Sequence, residues 1–198
     1  MSRLVRLTAG WLLATLVSGA ATGCAGAPRP LPETTETLTE ACGRESPIDV
    51  VHHAVALSLA LDPRAIFGRG ELRVRARRET SMLVLDAKGL TVSAMAVKTA
   101  PISFLQRNGK LCARLPGSLA AGEEALVEVV WSAATGAETP HFSRNHVWAG
   151  YLTSAWMPTI QDPAQRATLE LSIDAPSAWK VAASGRAAGL PARGQHPR

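Results

Sequence analysis

From Ile48 the chain alternates, with Val51, His53, Val55, Leu57, Leu59 and Leu61 on one face and His52, Ala54, Ala56, Ser58 and Ala60 on the other. A period of two belongs to a half-buried strand, and this is the longest one the sequence predicts. Asp62-Pro63-Arg64 turns it; Gly68 and Gly70 follow, and Leu72, Val74 and Ala76 then alternate with Glu71, Arg73, Arg75 and Arg77. The second strand thus has one apolar and one cationic face, and the arginine row reads as a solvated sheet face. Shorter strands are expected at Met82 to Asp86, Leu90 to Val97, Ile102 to Leu105, Lys110 to Leu115 and Ala125 to Trp131. Ala87-Lys88-Gly89, Arg107-Asn108-Gly109 and Ala120-Ala121-Gly122-Glu123 punctuate them, and Asn108-Gly109 is the strongest hairpin signal because both residues tolerate positive φ.

The alternation lapses from Ser132 to Gly150, a long connection holding His141, His146 and Trp148. Connections of this length often carry function. After Trp156-Met157-Pro158 and the polar turn Gln161-Asp162-Pro163, alternation returns with Leu169, Leu171 and Ile173 opposite Thr168, Glu170 and Ser172. Ala175-Pro176-Ser177 breaks it, and Trp179, Val181 and Ala183 resume it up to Ser184-Gly185, which predicts a hairpin. No stretch holds a helical period. Many short strands with turn punctuation give an all-β fold, an antiparallel β-sandwich or a saddle-like layered sheet.

The 198 residues, 46% hydrophobic and 19% charged, suffice for one well-filled domain. Arg3 and Arg6 precede an apolar run from Leu7 to Val17 that is too short to span a bilayer, which is the layout of an export signal. Ala21-Thr22-Gly23-Cys24 resembles a bacterial lipobox, making Cys24 the expected lipid anchor. Alanine at position 25 points to the outer membrane. The expected organisation is a signal peptide with a lipobox-like end at 1–24, a flexible linker at 25–46, a β-domain at 47–185 and a disordered tail at 186–198. Without Arg3 and Arg6 the formal charge falls from +5 to +3, and no basic face with interleaved aromatics suggests nucleic acid. Cys42 and Cys112 leave two readings open in an oxidising compartment: a disulfide between them, or a buried core thiol at 112 and a free thiol at 42.

A zinc-protease helix needs H-E-x-x-H, and none of the five histidines, His52, His53, His141, His146 and His196, is followed by glutamate. Adjacent His52 and His53 on a strand point to opposite faces, while His141 and His146 lack a neighbouring carboxylate or cysteine to complete a shell. There is no G-x-S-x-G elbow and no phosphate loop. Glu123 with Glu124, and Glu170 with Asp174, read as turn and edge charges. No catalytic, metal or cofactor-binding residue is assigned.

A series of short motifs nevertheless resembles one family. Asp49-Val50-Val51-His52-His53 and the leucines up to Leu61-Asp62 are similar to the opening strand of the N-terminal domain of aminopeptidase N-like enzymes, peptidase family M1. Ile66-Phe67-Gly68 with Leu72-Arg73-Val74, Leu83-Val84-Leu85-Asp86-Ala87 with Gly89-Leu90-Thr91-Val92, and Leu115-Pro116 with Leu119 to Glu123 continue the likeness in order. Trp156-Met157-Pro158, then Asp162-Pro163-Ala164-Gln165-Arg166-Ala167-Thr168, resembles the family's W-F-P and D-x-P-x-x-K/R-A-T-F signature, with Gln161 replacing the usual aspartate. Trp179-Lys180-Val181 with Ser184-Gly185 resembles its closing strand.

In that family a β saddle packs on a catalytic domain carrying G-x-M-E-N and H-E-x-x-H, and zinc sits there; this chain holds neither motif. The loop His146-Val147-Trp148-Ala149-Gly150-Tyr151 does not match the family's T-Q-F-E-like substrate segment, so no substrate residue is carried over. The leader and the resemblance together imply an exported, non-catalytic β-domain, a truncated enzyme or a retained module, whose partner is a catalytic aminopeptidase domain and which itself holds no cofactor. The alternative is a surface-anchored lipoprotein that binds a peptide or envelope protein through Trp148 and Tyr151.

Overall fold

The computed structural model describes residues 37–135, 139–176 and 178–186. The expected signal peptide, Cys24, most of the linker and the tail beyond Arg186 lie outside the described residues.

Two long strands open the fold, β1 (Ile48–Leu61) and β2 (Arg64–Ala76), paired antiparallel through the Asp62-Pro63 turn. Alternation places Ile66, Leu72 and Val74 inward and Phe67, Arg69, Glu71, Arg73 and Arg75 outward, as the pleat requires. In β1 the register shifts between Val50 and His52, so Ile48 and Val50 are buried before the bulge, and His53, Val55 and Leu57 after it. One extra residue moves later side chains to the other parity, which a strict count of two from Val51 does not foresee upstream of the bulge.

The chain continues through β3 (Thr80–Asp86), β4 (Leu90–Val97), β5 (Ala100–Pro101), β6 (Phe104–Arg107), β7 (Lys110–Leu119) and β8 (Glu124–Ala134). Asn108 and Gly109 take φ of 51° and 73° and join β6 to β7, the hairpin their chemistry favours. Two short strands, β9 (His141–Phe142) and β10 (Val147–Trp148), pair with each other, and β11 (Thr168–Asp174) closes the order.

These strands form a six-stranded sheet in the order β11-β1-β2-β8-β4-β5 and a three-stranded sheet in the order β3-β7-β6. Leu83, Leu85, Leu111 and Leu115 of the small sheet share one buried cluster with Leu72, Val74, Val127, Val129 and Trp131 of the large one. The Trp131 indole lies across Gly68 and Gly70, where a Cβ at Gly68 would stand 2.2 Å from the ring. Its Nε1 donates to the Trp156 carbonyl at 2.9 Å, satisfying the polar tip of a buried aromatic.

The fold is all-β and mainly antiparallel, with two departures from the sequence reading. First, β11 pairs parallel with β1, His53 opposite Leu169 and Val55 opposite Leu171. Its expected hairpin partner forms no strand: Trp179 N donates to Pro176 O at 2.8 Å, closing a turn, and residues 179–186 join no ladder. The chain reaches β11 over the polar turn 161–166, which delivers it alongside β1 so that its apolar face extends the sheet already built. Second, the end of the expected linker is structured, with a one-turn helix α1 (Leu38–Ala41). Thr37 and Glu40 form a capping box, and Ala41 packs with Met82, Val84 and Cys112 on the outer face of the small sheet. Cys42 is bonded to Cys112 across a Cα separation of 5.6 Å. Four residues are too few for a helical period, so the T-x-x-E spacing was the sole local sign of α1.

Candidate functional site

The long connection after β8 builds an aromatic platform. Phe142, 4% exposed, anchors β9 in the core, and Ser143 ties the β9–β10 turn by donating its backbone N–H to the His146 carbonyl at 2.9 Å. Gly150 stands at the centre of a bonded chain: its N–H donates to the Thr139 hydroxyl at 3.3 Å and its carbonyl accepts from Trp156 Nε1 at 3.2 Å. The Trp156 carbonyl in turn receives Trp131 Nε1 from the core. On this base Trp148 and Tyr151 are 47% and 70% exposed, their ring centroids 5.8 Å apart and tilted by 57°. The Trp148 indole covers Gly150 so closely that a Cβ there would stand 2.2 Å away, which fixes the ring's orientation.

The histidines do not converge. His52 meets the Thr168 hydroxyl at 2.7 Å, whereas His53 turns into the interior, 3% exposed, with Nε2 3.5 Å from Thr159 Oγ1 and no partner at Nδ1. Burial, with the neighbouring His52 adding to it, pushes the His53 imidazole down to about 4. The rings of His141 and His146 are 6.2 Å apart on the loop, and His146 Nδ1 is engaged by Ser143 Oγ at 2.7 Å. Among the described residues no three histidine, cysteine or carboxylate groups come together as a metal shell. The four described histidines are thus not arranged to share one metal ion.

Three of the glutamates are tied into the sheet. Glu124 receives two bonds from Arg75, at 3.0 and 2.7 Å, Glu128 one from Arg69 at 2.8 Å, and Glu123 caps its own turn through Ala120 N at 2.9 Å. Arg69 and Arg75 on the outer face of β2 are thus met by glutamates on neighbouring β8.

The Asp162-to-Thr168 stretch, whose pattern stood out in the sequence, works as a clasp. Gln165 donates from Nε2 to Asp49 Oδ1 at 2.6 Å and accepts from Val50 N at 3.3 Å, while Arg77 holds Asp49 and reaches Asp162 at 3.9 Å. Burial would raise the Asp49 carboxyl, but bonds from Gln165 and Arg77 outweigh it and hold it below the usual carboxylate range. These contacts pin the turn to the start of β1 and set the parallel register of β11.

Beneath that strand lies a feature the periodicity did not reveal. A groove of about 400 Å³ lies on the inner face of the large sheet, lined by Leu59, Ile66, Trp156, Leu171, Ile173 and Val181. The apolar alternation of β11 was legible, but its lack of a full cover was not. Among the described residues no helix is long and apolar enough to cross a membrane.

No protein-family model matches the sequence, and no curated protein matches it. Solved structures do. The M1 zinc metallopeptidase from Deinococcus radiodurans is 22% identical over 65% of this chain and 32% of its own, with a TM-score of 0.57. A mutant of that enzyme bound to a Tyr-Ser-Ala substrate is 23% identical over 64% and 32%, with a TM-score of 0.53. Native yeast LTA4 hydrolase is 17% identical over 66% of this chain and 23% of its own, with a TM-score of 0.53. The chain therefore spans about a third or less of the structures it matches. What it shares with them is a fold, that of the N-terminal β-domain of M1 metallopeptidases.

Proposed function

We propose that this chain supplies the non-catalytic N-terminal β-domain of an M1-type zinc aminopeptidase and acts by docking on a catalytic segment that carries the metal. The observation that supports this reading is the fold likeness itself, which takes in 65% of the chain but 32% of the Deinococcus enzyme. Hydrolysis of a peptide bond by this chemistry requires a zinc held by protein ligands and a carboxylate base. H-E-x-x-H is absent from the 198 residues, and strand alternation points His52 and His53 to opposite faces. On the same reading the chain is exported and anchored through a lipid on Cys24.

The test uses the protein purified from a host that exports and lipidates it. Zinc content, hydrolysis of aminoacyl anilides and the intact mass of the mature chain are measured together. We expect substoichiometric zinc, no turnover and an acylated chain beginning at Cys24. Metal-dependent turnover in a clean preparation would defeat the non-catalytic reading, and an unacylated mature chain would remove the anchor. Translating the DNA beyond Arg198 in all frames should reveal G-x-M-E-N and H-E-x-x-H if the catalytic segment was separated by a frameshift.

A further inference from the structure

The outer face of the small sheet carries a second apolar cluster, in which Ala41 of α1 packs on Met82, Val84 and Cys112. Its cover is a strap, residues 37–45, joined to the sheet by the Cys42–Cys112 bond. The strap has little other grip. Ala41 is buried, Leu38 and Cys42 are half-buried, and the remaining residues from 37 to 45 are exposed. The backbone N–H groups of residues 41 to 44 donate to carbonyls of the strap itself, from Thr37 to Ala41. Glu45 adds an ion pair to Arg77 at 3.3 Å, exposed to solvent and so worth little. Ala41 and Glu45 of the strap, with Thr80, Met82 and Val84 of β3, line a cleft of about 190 Å³. A single helical turn does not hold itself in water. Firm attachment begins at Ser46, whose hydroxyl donates to the Val84 carbonyl at 2.8 Å, and at Pro47, whose carbonyl accepts from Arg77 N at 2.9 Å.

We propose that the Cys42–Cys112 bond is a thiol-exchange site, opened by a dithiol reductant from the Cys42 side, which frees the strap to swing about Ser46 and uncovers Cys112 with Met82 and Val84. Cys112 is fully buried and Cys42 half-exposed, so an incoming thiolate reaches Cys42 Sγ. A new S–S bond forms there as the Cys42–Cys112 bond breaks, and Cys112 leaves as a thiolate that takes a proton from water. The second thiolate of the reductant then attacks the mixed disulfide and expels the Cys42 thiolate. Two electrons pass, and the dithiol ends as a disulfide. The core between the sheets takes no part, because Leu83, Leu85 and Leu111 point to the opposite face of the same strands. Opening therefore changes one surface and moves the first fixed residue from Cys42 to Ser46, while the fold stands. The switch works whether or not the chain docks on a catalytic segment.

The test treats the full oxidised chain with dithiothreitol in native buffer, alkylates free cysteines with iodoacetamide, locates them by peptide mass and follows amide exchange on the same samples. Cys42 and Cys112 should become alkylated together. Exchange at 38–45 should rise about tenfold, while exchange in β1, β2 and β8 changes less than about twofold. The rate of reduction should stay level in urea below the unfolding transition, as local opening requires. Cys42→Ser should leave Cys112 open to iodoacetamide without reductant. Reduction that keeps step with global unfolding, or that strips protection from both sheets, overturns the proposal by making the bond a tie of the whole fold. So does a reduced chain whose exchange at 38–45 stays slow, or a Cys42→Ser chain with protected sheets and an unlabelled Cys112. If that variant does not fold, the reduced parent decides.

Discussion

The His53 imidazole sits under β1 with Nδ1 unpartnered, and a group so placed should make the fold acid-sensitive. Its folded value, about 4, is below the 6.5 of a free histidine. As pH falls below 6.5 the unfolded chain takes up the proton first, so stability fully present above 6.5 is lost progressively until about pH 4. Between pH 7 and 4.5 that loss should be about 2–3 kcal/mol. Urea midpoints of the parent and His53→Leu at both pH values check this: the variant should show a flatter dependence, and equal slopes would refute it. Gly68 poses a steric question instead. Its Cβ would collide with the Trp131 ring at 2.2 Å, so Gly68→Ala should cost about 2–3 kcal/mol in chemical denaturation. Gly117→Ala, with nothing within 4 Å of the added methyl, should stay within about 0.5 kcal/mol. The sequence showed that His52 and His53 must point apart, since a strand alternates. It also put His53 on the face of Val55 and Leu57, where the structure buries it; what it could not show was the bulge at Val51, which turns Val50 inward at the start of the strand.

At the scale of elements, patterns that depend on neighbours in sequence were the readable ones. β1, β2 and the Asn108-Gly109 hairpin follow from alternation and from two residues that accept positive φ. β11 was readable as a strand but not as a parallel one, because its partner is fixed by Gln165 and Asp49, 116 residues apart. α1 is held by a disulfide that spans 70 residues, a distance across which spacing alone decides nothing. That bond limits the unfolded chain, so Cys42→Ala should destabilise the fold by about 2–4 kcal/mol. Amide exchange at 38–46 should rise at the same time, while exchange in β7 stays protected under native conditions. Slow exchange at 38–46 in the variant would mean that the apolar contact with Met82 and Val84 holds α1 unaided.

For the whole molecule, one buried cluster joins the two sheets through Trp131, and the small sheet is covered on its other side by α1. The aromatic platform and the apolar groove both lie where the chain leaves regular pairing, after β8 and around β11. Composition and alternation by themselves determined an all-β chain with one cationic sheet face and no assembled catalytic motif, because side-chain parity and motif spacing are local properties. Tertiary structure alone decided the parallel place of β11 and the bond between Cys42 and Cys112. Each of these depends on which distant segments meet, and that is set by the closing of the two sheets over a common core.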